Sequence, residues 1–298
     1  MTRPRHRIAA ALACGLLVGA CSSGDDDADN AERGGSSEDG AAAPVTPAEV
    51  EPRASAGCGS SAVAAGEEKV TITSGGVERW YLRHVPPAHD GSTPVPVVVD
   101  LHGYSEGADV HALVSGLGPY GDEQGFVTLT PHGQGQGPVP LWDTTPGGPE
   151  QVFLEGMLDE VAASLCVDTS RVFVTGLSNG AMMTSMLACE LSGRFAAAAP
   201  VAGVTEMQDC QADRPVPVVV FHGTDDGFLA YDGGLGPQVA SLPSPDGQGT
   251  LGDVSVKLSE SEEPTGPSVP EVVADWAGRN GCDDAAPTEE AVADDVTL

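Results

Sequence analysis

Short apolar runs recur along the chain from about residue 58 onward, separated by longer amphipathic segments. VERWYLRHVP alternates apolar and polar residues, as a half-buried strand does. Five further segments are short and apolar and are typical of buried strands: VPVVVDLHG, FVTLTPHG, RVFVTG, FAAAAPVAG and VPVVVFHGTDD. The pattern therefore predicts at least six strands.

The segments between these strands have helical patterns. EQVFLEGMLDEVAASL has apolar residues at 154, 158, 161 and 165, which lie on one helical face, and AMMTSMLACEL is also typical of a helix. SVPEVVADWAGRNG begins with the capping-box spacing of Ser268 and Glu271 and stops at Gly281. Strands that alternate with helices and are apolar on both faces predict a mostly parallel α/β sheet flanked by helices.

Residues 232–267 interrupt this alternation. The segment is rich in Gly, Pro and Ser, has few large apolar residues, and lies between the last predicted strand and the last predicted helix. Its composition fits a lid or substrate loop, but a mobile surface insertion is the simpler interpretation.

The N-terminal residues are typical of a targeting segment. Basic MTRPRHR precedes the short apolar run IAAALACGLLVGA, as in a signal peptide. LVGAC, residues 17–21, resembles the bacterial lipobox, which predicts lipidation of Cys21; an ordinary signal peptide with an incidental cysteine is the alternative. Residues 22–57 are polar and acidic and predict a disordered tether. We therefore expect a signal peptide over 1–21, a tether over 22–57 and a folded domain over 58–298, secreted or anchored to the cell membrane through Cys21.

Charge and cysteine content exclude several functions. The chain has 13 Lys and Arg against 44 Asp and Glu, a net charge of −31, which argues against a nucleic-acid partner. Export would place the five cysteines after Cys21 in an oxidising compartment, and an odd number leaves one unpaired. Cys189 with Cys210 is a reasonable pair. No two cysteines have metal-ligand spacing and no histidine cluster accompanies them, so we do not expect zinc.

Ser178 is the candidate nucleophile. It lies in Gly176-Leu177-Ser178-Asn179-Gly180, a G-x-S-x-G pattern between a buried strand and an apolar helix. Glycines permit the tight strand-to-helix turn that exposes such a serine. The N–H of Asn179, at the start of the helix, would point toward a developing oxyanion. A plain turn between strand and helix is the alternative.

Two other predicted strands end in turns that could complete this site, because parallel strands present their carboxyl ends at one rim. After DLHGY the backbone N–H of Tyr104 is the candidate second oxyanion donor, whereas the His102 side chain is expected to stabilise the loop. After VVVFHGTDD, Asp225 and Asp226 both have the spacing of a triad carboxylate.

The ordered set DLHGY, GLSNGAMM, FAAAAPVAG, PVPVVVFHGTDD and DWAGRNGC resembles the exported polyhydroxybutyrate depolymerase and feruloyl esterase group of α/β-hydrolases, over about residues 58–283. The resemblance implies an α/β-hydrolase fold and an acyl-enzyme on Ser178, with polyester or hydroxycinnamoyl esters as substrates. It also implies that Asp226, the last residue of H-G-T-x-D, is the triad carboxylate. The serine-esterase hypothesis implies no metal and no cofactor. Trp142 in PLWDTTPGG is expected either to line an aromatic acyl pocket or to pack within a loop.

The family pattern places its catalytic histidine after the segment ending in NGC, yet all seven histidines of this chain precede Asp226. Among them, only His132 is a candidate substitute near the site edge. The unpaired cysteine fits the same interpretation, since Cys282 would pair further along. We therefore expect a C-terminally shortened domain that lacks the last strand and the histidine loop. The alternative function is a catalytically impaired surface lipoprotein that binds a polymer or glycan.

Overall fold

The computed structural model describes residues 51–60, 63–135, 137–253, 266–282, 291–293 and 296–297. The predicted signal peptide, Cys21 and most of the predicted tether lie outside the described residues. Within the described part, no helix has both the length and the apolar content that a membrane span requires.

A six-stranded sheet forms the centre of the domain and confirms the predicted fold class. Its strands are β1 Gly66–Ser74, β2 Val77–Val85, β3 Val95–Leu101, β4 Val127–Pro131, β5 Val167–Leu177 and β6 Ala197–Val201, in the order β1-β2-β4-β3-β5-β6. β4, β3, β5 and β6 are parallel, whereas β1 and β2 are antiparallel to their neighbours. The candidate turns follow β3 and β5, which are adjacent.

Among the described residues, five α-helices accompany the sheet: α1 Ala108–Ser115, α2 Leu117–Gln124, α3 Pro149–Ser164, α4 Asn179–Glu190 and α5 Val269–Arg279. α4 packs against β3, β5 and β6, and α3 packs against β1 and β5. α5 begins with the predicted capping box, in which Ser268 and Glu271 satisfy each other's backbone amides. A short 3₁₀-helix at Pro237–Ser241 and an antiparallel pair, β7 Ala291–Ala293 with β8 Val296–Thr297, complete the described elements.

The core is built mainly from aliphatic side chains, because only 4% of the residues are aromatic. Valines of β3 and β5 pack against leucines and methionines of α3 and α4. The largest fully buried side chains are Trp142, Tyr81, Phe153, Phe195, Leu101, Leu129, Leu154, Met157, Leu165, Met183, Met186 and Leu187. This core fixes the carboxyl ends of β3 and β5 relative to each other.

Residues 216–221 of the predicted strand VPVVVFHGTDD extend the sheet beyond β6, with less regular pairing than expected. We call them the edge segment. It bonds to β6 through isolated parallel bridges, Ala198 with Val218 and Val201 with Phe221. Val219 and Phe221 are 46% and 49% exposed, because no described strand or helix covers this edge. The loop that follows nevertheless emerges at the same rim as the turn after β5.

Two disulfides cross-link the domain, Cys58–Cys166 and Cys189–Cys210. The second confirms the predicted pair. Cys282 is exposed and has no disulfide partner among the described residues.

Candidate active site

The turn between β5 and α4 holds Ser178 in a left-handed conformation, with φ 54° and ψ −114°. Its N–H donates to Val201 O at 2.8 Å, and its carbonyl accepts from the N–H groups of Ala181 and Met182. Positive φ at a non-glycine residue costs on the order of 1–3 kcal/mol and concentrates at functional sites. The half-buried serine is therefore held in a strained position by contacts on both sides.

Three glycines make this turn possible because other backbone passes against them. A Cβ on Gly176 would collide with Gly180 O, and one on Gly180 would collide with the carbonyls that end β3. A Cβ on Gly203 would collide with Ser178 O. Any larger residue at these positions would push the turn away from β3 or β6, so the glycine spacing has a packing reason.

Two backbone donors lie beside this turn. β3 and β5 pair in register, with Leu101 opposite Gly176, so the segments that follow them run side by side. Within the described part of the chain, the N–H groups of Tyr104 and Asn179 have no hydrogen-bond partner. Free backbone donors next to a nucleophilic hydroxyl are the chemical requirement of an oxyanion hole.

The His102 side chain fixes the direction of the Tyr104 N–H. The ring is fully buried; its Nε2 accepts from the N–H of Gly133 at 2.9 Å, and its Nδ1 donates to Gly103 O at 2.7 Å. Burial lowers the pKa of His102 to about 4, so the ring is neutral near pH 7. Because a trans peptide points its C=O and N–H in opposite directions, anchoring Gly103 O also orients the N–H of Tyr104. This arrangement agrees with the expected loop-stabilising role.

Asn179 contributes its side chain as well as its backbone. Its Oδ1 accepts from the N–H of Trp142 at 2.7 Å, and its Nδ2 donates to Trp142 O at 3.1 Å. The Trp142 side chain is buried, and its Nε1 donates to His102 O at 2.9 Å. Trp142 is thus a packing residue that ties three loops together, and it does not line an open pocket.

Asp226 lies in the loop after the edge segment, two strands away from Ser178. The end of β6 connects the two loops through backbone hydrogen bonds: Ser178 N–H bonds to Val201 O, and Ala202 N–H bonds to Phe221 O. Asp226 Oδ1 accepts from the N–H groups of Phe228 and Leu229, at 2.8 and 3.0 Å.

Of the two candidate aspartates, the structure fixes Asp226 and leaves the Asp225 side chain exposed. Asp226 Oδ2 lies 3.5 Å from Nε2 of the buried His222, and the Asp226 side chain is only 15% exposed. His222 Nε2 also donates to Leu229 O at 2.8 Å, while its Nδ1 is buried without a partner among the described residues. The carboxylate is therefore pre-oriented by its own loop.

Five of the six imidazoles among the described residues have hydrogen-bond partners other than Ser178, and the sixth, that of buried His89, has none there. His132 stacks on Trp80, and its Nδ1 accepts from the N–H of Ala108 at 3.3 Å. His84 and His111 bond to carboxylates. In the part of the chain that the structure describes, no imidazole hydrogen-bonds to Ser178, so His132 is not placed as its base.

The Gly- and Pro-rich segment 232–267 contacts the loop after β3 that carries Tyr104, which we call the oxyanion loop. The Tyr104 hydroxyl donates to Pro243 O at 2.9 Å, and Gly137 packs directly against Pro245 O. Residues 232–253 of this segment therefore form one wall beside Tyr104 and are not detached from the domain. A cavity of about 220 Å³, lined by Trp80, His132 and Pro140 among others, opens nearby.

The sequence analysis missed a buried polar cluster behind the oxyanion loop. Glu106 Oε2 accepts from the N–H of Gly103 at 2.9 Å and from Nδ1 of His111 at 3.0 Å, while His111 Nε2 bonds to Asp100 Oδ1 at 2.8 Å. Spacing alone gives no signal for this cluster, because its members belong to a strand, a loop and a helix. The one available sign is a charged residue, Asp100, within an otherwise apolar strand pattern.

Known proteins resemble the chain across this region. The model of the prolyl oligopeptidase family matches residues 153–231, which include Ser178 and Asp226. Over 203 residues the chain is 30% identical to the probable feruloyl esterase C of Aspergillus clavatus, covering 64% of this chain and 69% of that protein. The chain belongs to the esterase group of the α/β-hydrolase family. The family resemblance predicted from the motifs is thereby confirmed.

Other members of the esterase group are matched over a smaller part of their length. Poly(3-hydroxyalkanoate) depolymerase C of Paucimonas lemoignei is 35% identical over 129 residues, 41% of this chain and 30% of that protein. The bifunctional acetylxylan esterase/xylanase XynS20E of Neocallimastix patriciarum is 30% identical over 136 residues, 46% of this chain and 20% of that protein. The chain thus spans less than two thirds of both relatives.

Proposed function

We propose that this chain is an extracytoplasmic carboxylic ester hydrolase in which Ser178 is the nucleophile. The observation that carries the proposal is the strained Ser178 turn beside two backbone donors that have no partner among the described residues. Ser178 Oγ attacks the ester carbonyl carbon, its proton passes to a base in solution, and the carbonyl electrons move onto oxygen. The N–H groups of Tyr104 and Asn179 stabilise that oxyanion. The bond from the carbonyl carbon to the alcohol oxygen then breaks, and the leaving alkoxide takes a proton from solution and departs as the alcohol. Water adds to the acyl-enzyme in the same way, which releases the carboxylic acid and returns the proton to Ser178 Oγ.

The proposed substrates are neutral esters of the kinds named for the relatives: feruloyl esters, acetylated xylan and polyhydroxyalkanoate. The net charge of −31 is consistent with a neutral substrate, because a polyanionic one would be repelled. No metal or cofactor is required by this chemistry.

Asp226 is proposed as the carboxylate that orients a catalytic imidazole. Two backbone amides already hold one of its oxygens, which leaves the other to accept from an imidazole N–H. None of the seven histidines follows Asp226 in the sequence. Since no imidazole of the described residues bonds to Ser178, this chain by itself would rely on the oxyanion hole and substrate binding, which typically leaves about 10³–10⁴-fold acceleration over water.

The test is hydrolysis of p-nitrophenyl butyrate by the full chain and by Ser178→Ala, with and without added imidazole. We expect a slow Ser178-dependent rate that imidazole raises, since a soluble base can take the hydroxyl proton. Ser92→Ala, an exposed serine before β3, is the matched control and should behave like the unmodified chain. Equal rates for Ser178→Ala and the unmodified chain under both conditions would refute the enzyme proposal.

Export and anchoring are part of the proposal. Two disulfides support an oxidising compartment. The lipobox-like LVGAC supports a lipid anchor on Cys21, a position outside the described residues. Cys21→Ser should move the protein from the membrane fraction to the soluble extracytoplasmic fraction, and unchanged fractionation would contradict the anchor.

A binding role is the second candidate, and one observation favours it: no imidazole of the described residues bonds to Ser178. On this hypothesis the protein retains the hydrolase shape and binds a polymer or glycan. Pull-down on polyhydroxybutyrate granules and on insoluble xylan, with Ser178→Ala binding as well as the unmodified chain and neither turning over ester, is the outcome that would support it.

A further inference from the structure

A buried histidine between two carboxylates lies directly behind the oxyanion loop. His111, on α1, is 3% exposed, and Asp100, in β3, is 2% exposed. Asp100 Oδ1 lies 2.8 Å from His111 Nε2, and Asp100 Oδ2 accepts from the Ser115 hydroxyl at 2.6 Å. On the other side of the ring, His111 Nδ1 lies 3.0 Å from Glu106 Oε2.

With both carboxylates charged, this geometry favours the protonated form of His111. A neutral imidazole has one N–H, whereas an imidazolium has two, and here each ring nitrogen faces a carboxylate oxygen. Burial alone would lower the pKa of His111, but the hydrogen bond and charge of Asp100, together with the charge of Glu106, outweigh burial and raise it. The third nearby titratable group, His102, is neutral near pH 7.

The cluster is connected to the oxyanion donor through one atom. Glu106 Oε2 accepts both the His111 Nδ1–H and the backbone N–H of Gly103, at 2.9 Å. Gly103 O is held by His102, and the next N–H along the chain is that of Tyr104. Both ends of the Gly103 backbone are thus fixed, and the carboxylate that holds its N–H is also the partner of His111 Nδ1.

We propose that His111, acting through Glu106, is a positioning residue that holds the Gly103–Tyr104 peptide in its oxyanion-binding orientation, and that loss of the His111 proton releases the loop. The catalytic consequence rests on the proposed ester hydrolase function. Both ring N–H contacts are present while His111 is charged, and one of them is lost as the pH rises through its raised pKa. The proposal assigns that loss to the Nδ1–H that Glu106 accepts.

NMR tests the coupling without requiring activity. In the ¹⁵N-labelled full chain, both ring nitrogens of His111 should be protonated at pH 7, and the amide resonances of Gly103 and Tyr104 should titrate with the same midpoint. Glu106→Gln retains an oxygen acceptor but removes the charge, so this shared midpoint should fall by about 1–3 pH units. Glu123→Gln, an exposed residue of α2, makes the same chemical change and should leave the midpoint unchanged.

A neutral His111 at pH 7, or Gly103 and Tyr104 amides that do not follow His111, would overturn the proposal. An NMR titration midpoint that is the same in Glu106→Gln and in the unmodified chain would also overturn it. Glu106→Gln is preferred to substitution of His111, because removing the buried cation would leave Asp100 and Glu106 unpaired and could prevent folding.

The kinetic arm tests the catalytic consequence. With p-nitrophenyl butyrate, kcat should fall as the pH rises through the midpoint measured by NMR. In Glu106→Gln this alkaline decrease in kcat should shift to lower pH by the same amount as the NMR midpoint, while KM should differ from that of the unmodified chain by less than about twofold. An alkaline limb that stays in place in an active enzyme would overturn the positioning role. Absence of any Ser178-dependent hydrolysis would instead refute the proposed function, and the NMR titration would still decide whether the His111 proton holds the loop.

Discussion

Replacement of Ser178 by glycine should stabilise the protein relative to replacement by alanine. Both substitutions remove the hydroxyl, but only glycine removes the Cβ that makes the left-handed conformation costly. The backbone cannot relax easily, because Val201 O accepts from Ser178 N–H and Gly203 packs on Ser178 O. The comparison therefore isolates the strain at the turn from any loss of side-chain chemistry.

The expected difference between the two variants is about 1 kcal/mol. Strain at such a residue is on the order of 1–3 kcal/mol. The greater freedom of glycine in the unfolded chain offsets roughly 0.5–1 kcal/mol of the gain. In a domain of this size, about 1 kcal/mol corresponds to an increase in Tm of about 2–4 °C.

Urea unfolding followed by the fluorescence of the three tryptophans measures this difference. Ser92, whose φ is not positive, supplies the control pair, and there glycine should be less stable than alanine by roughly 0.5–1 kcal/mol. The reasoning would be refuted if glycine at position 178 were destabilising relative to alanine by the same margin as at position 92.

Two further predictions concern stability. Converting the Cys58–Cys166 pair to serines should lower the free energy of unfolding by about 1.5 kcal/mol more than converting Cys189–Cys210, because the sequence separations are 108 and 21 residues. Equal losses in urea denaturation would contradict this entropic account. Ser268→Ala should cost about 1 kcal/mol, since it removes the hydroxyl that caps α5. An unchanged unfolding midpoint would show that the cap does not stabilise the helix.

The sequence predicts the elements whose pattern is local. The turn at Ser178 was predictable because a buried strand, two flanking glycines and an apolar helix are contiguous. The capping box at Ser268 is likewise contained within four residues. β1 was missed because GEEKVTITS is largely polar, and the structure leaves most of it exposed beside β2.

Elements that depend on tertiary contacts were not predictable. β5 begins at Val167, earlier than its apolar run, because Asp168 is fixed by the N–H of Arg53, 115 residues away, and by the Arg171 guanidinium. α1 and α2 have eight residues each and are separated by Gly116, so neither has a long apolar stripe. The Glu106–His111 contact similarly joins a loop to a helix and leaves no periodic signal.

Trapping of the acyl-enzyme tests the central claim most directly. The full chain is incubated with p-nitrophenyl butyrate and imidazole, quenched in acid, digested and analysed by mass spectrometry. The account predicts one butyryl group, on the peptide that carries Ser178, and none on that peptide in Ser178→Ala. Acylation confined to other residues, or an unmodified Ser178 peptide while ester is being hydrolysed, would contradict it.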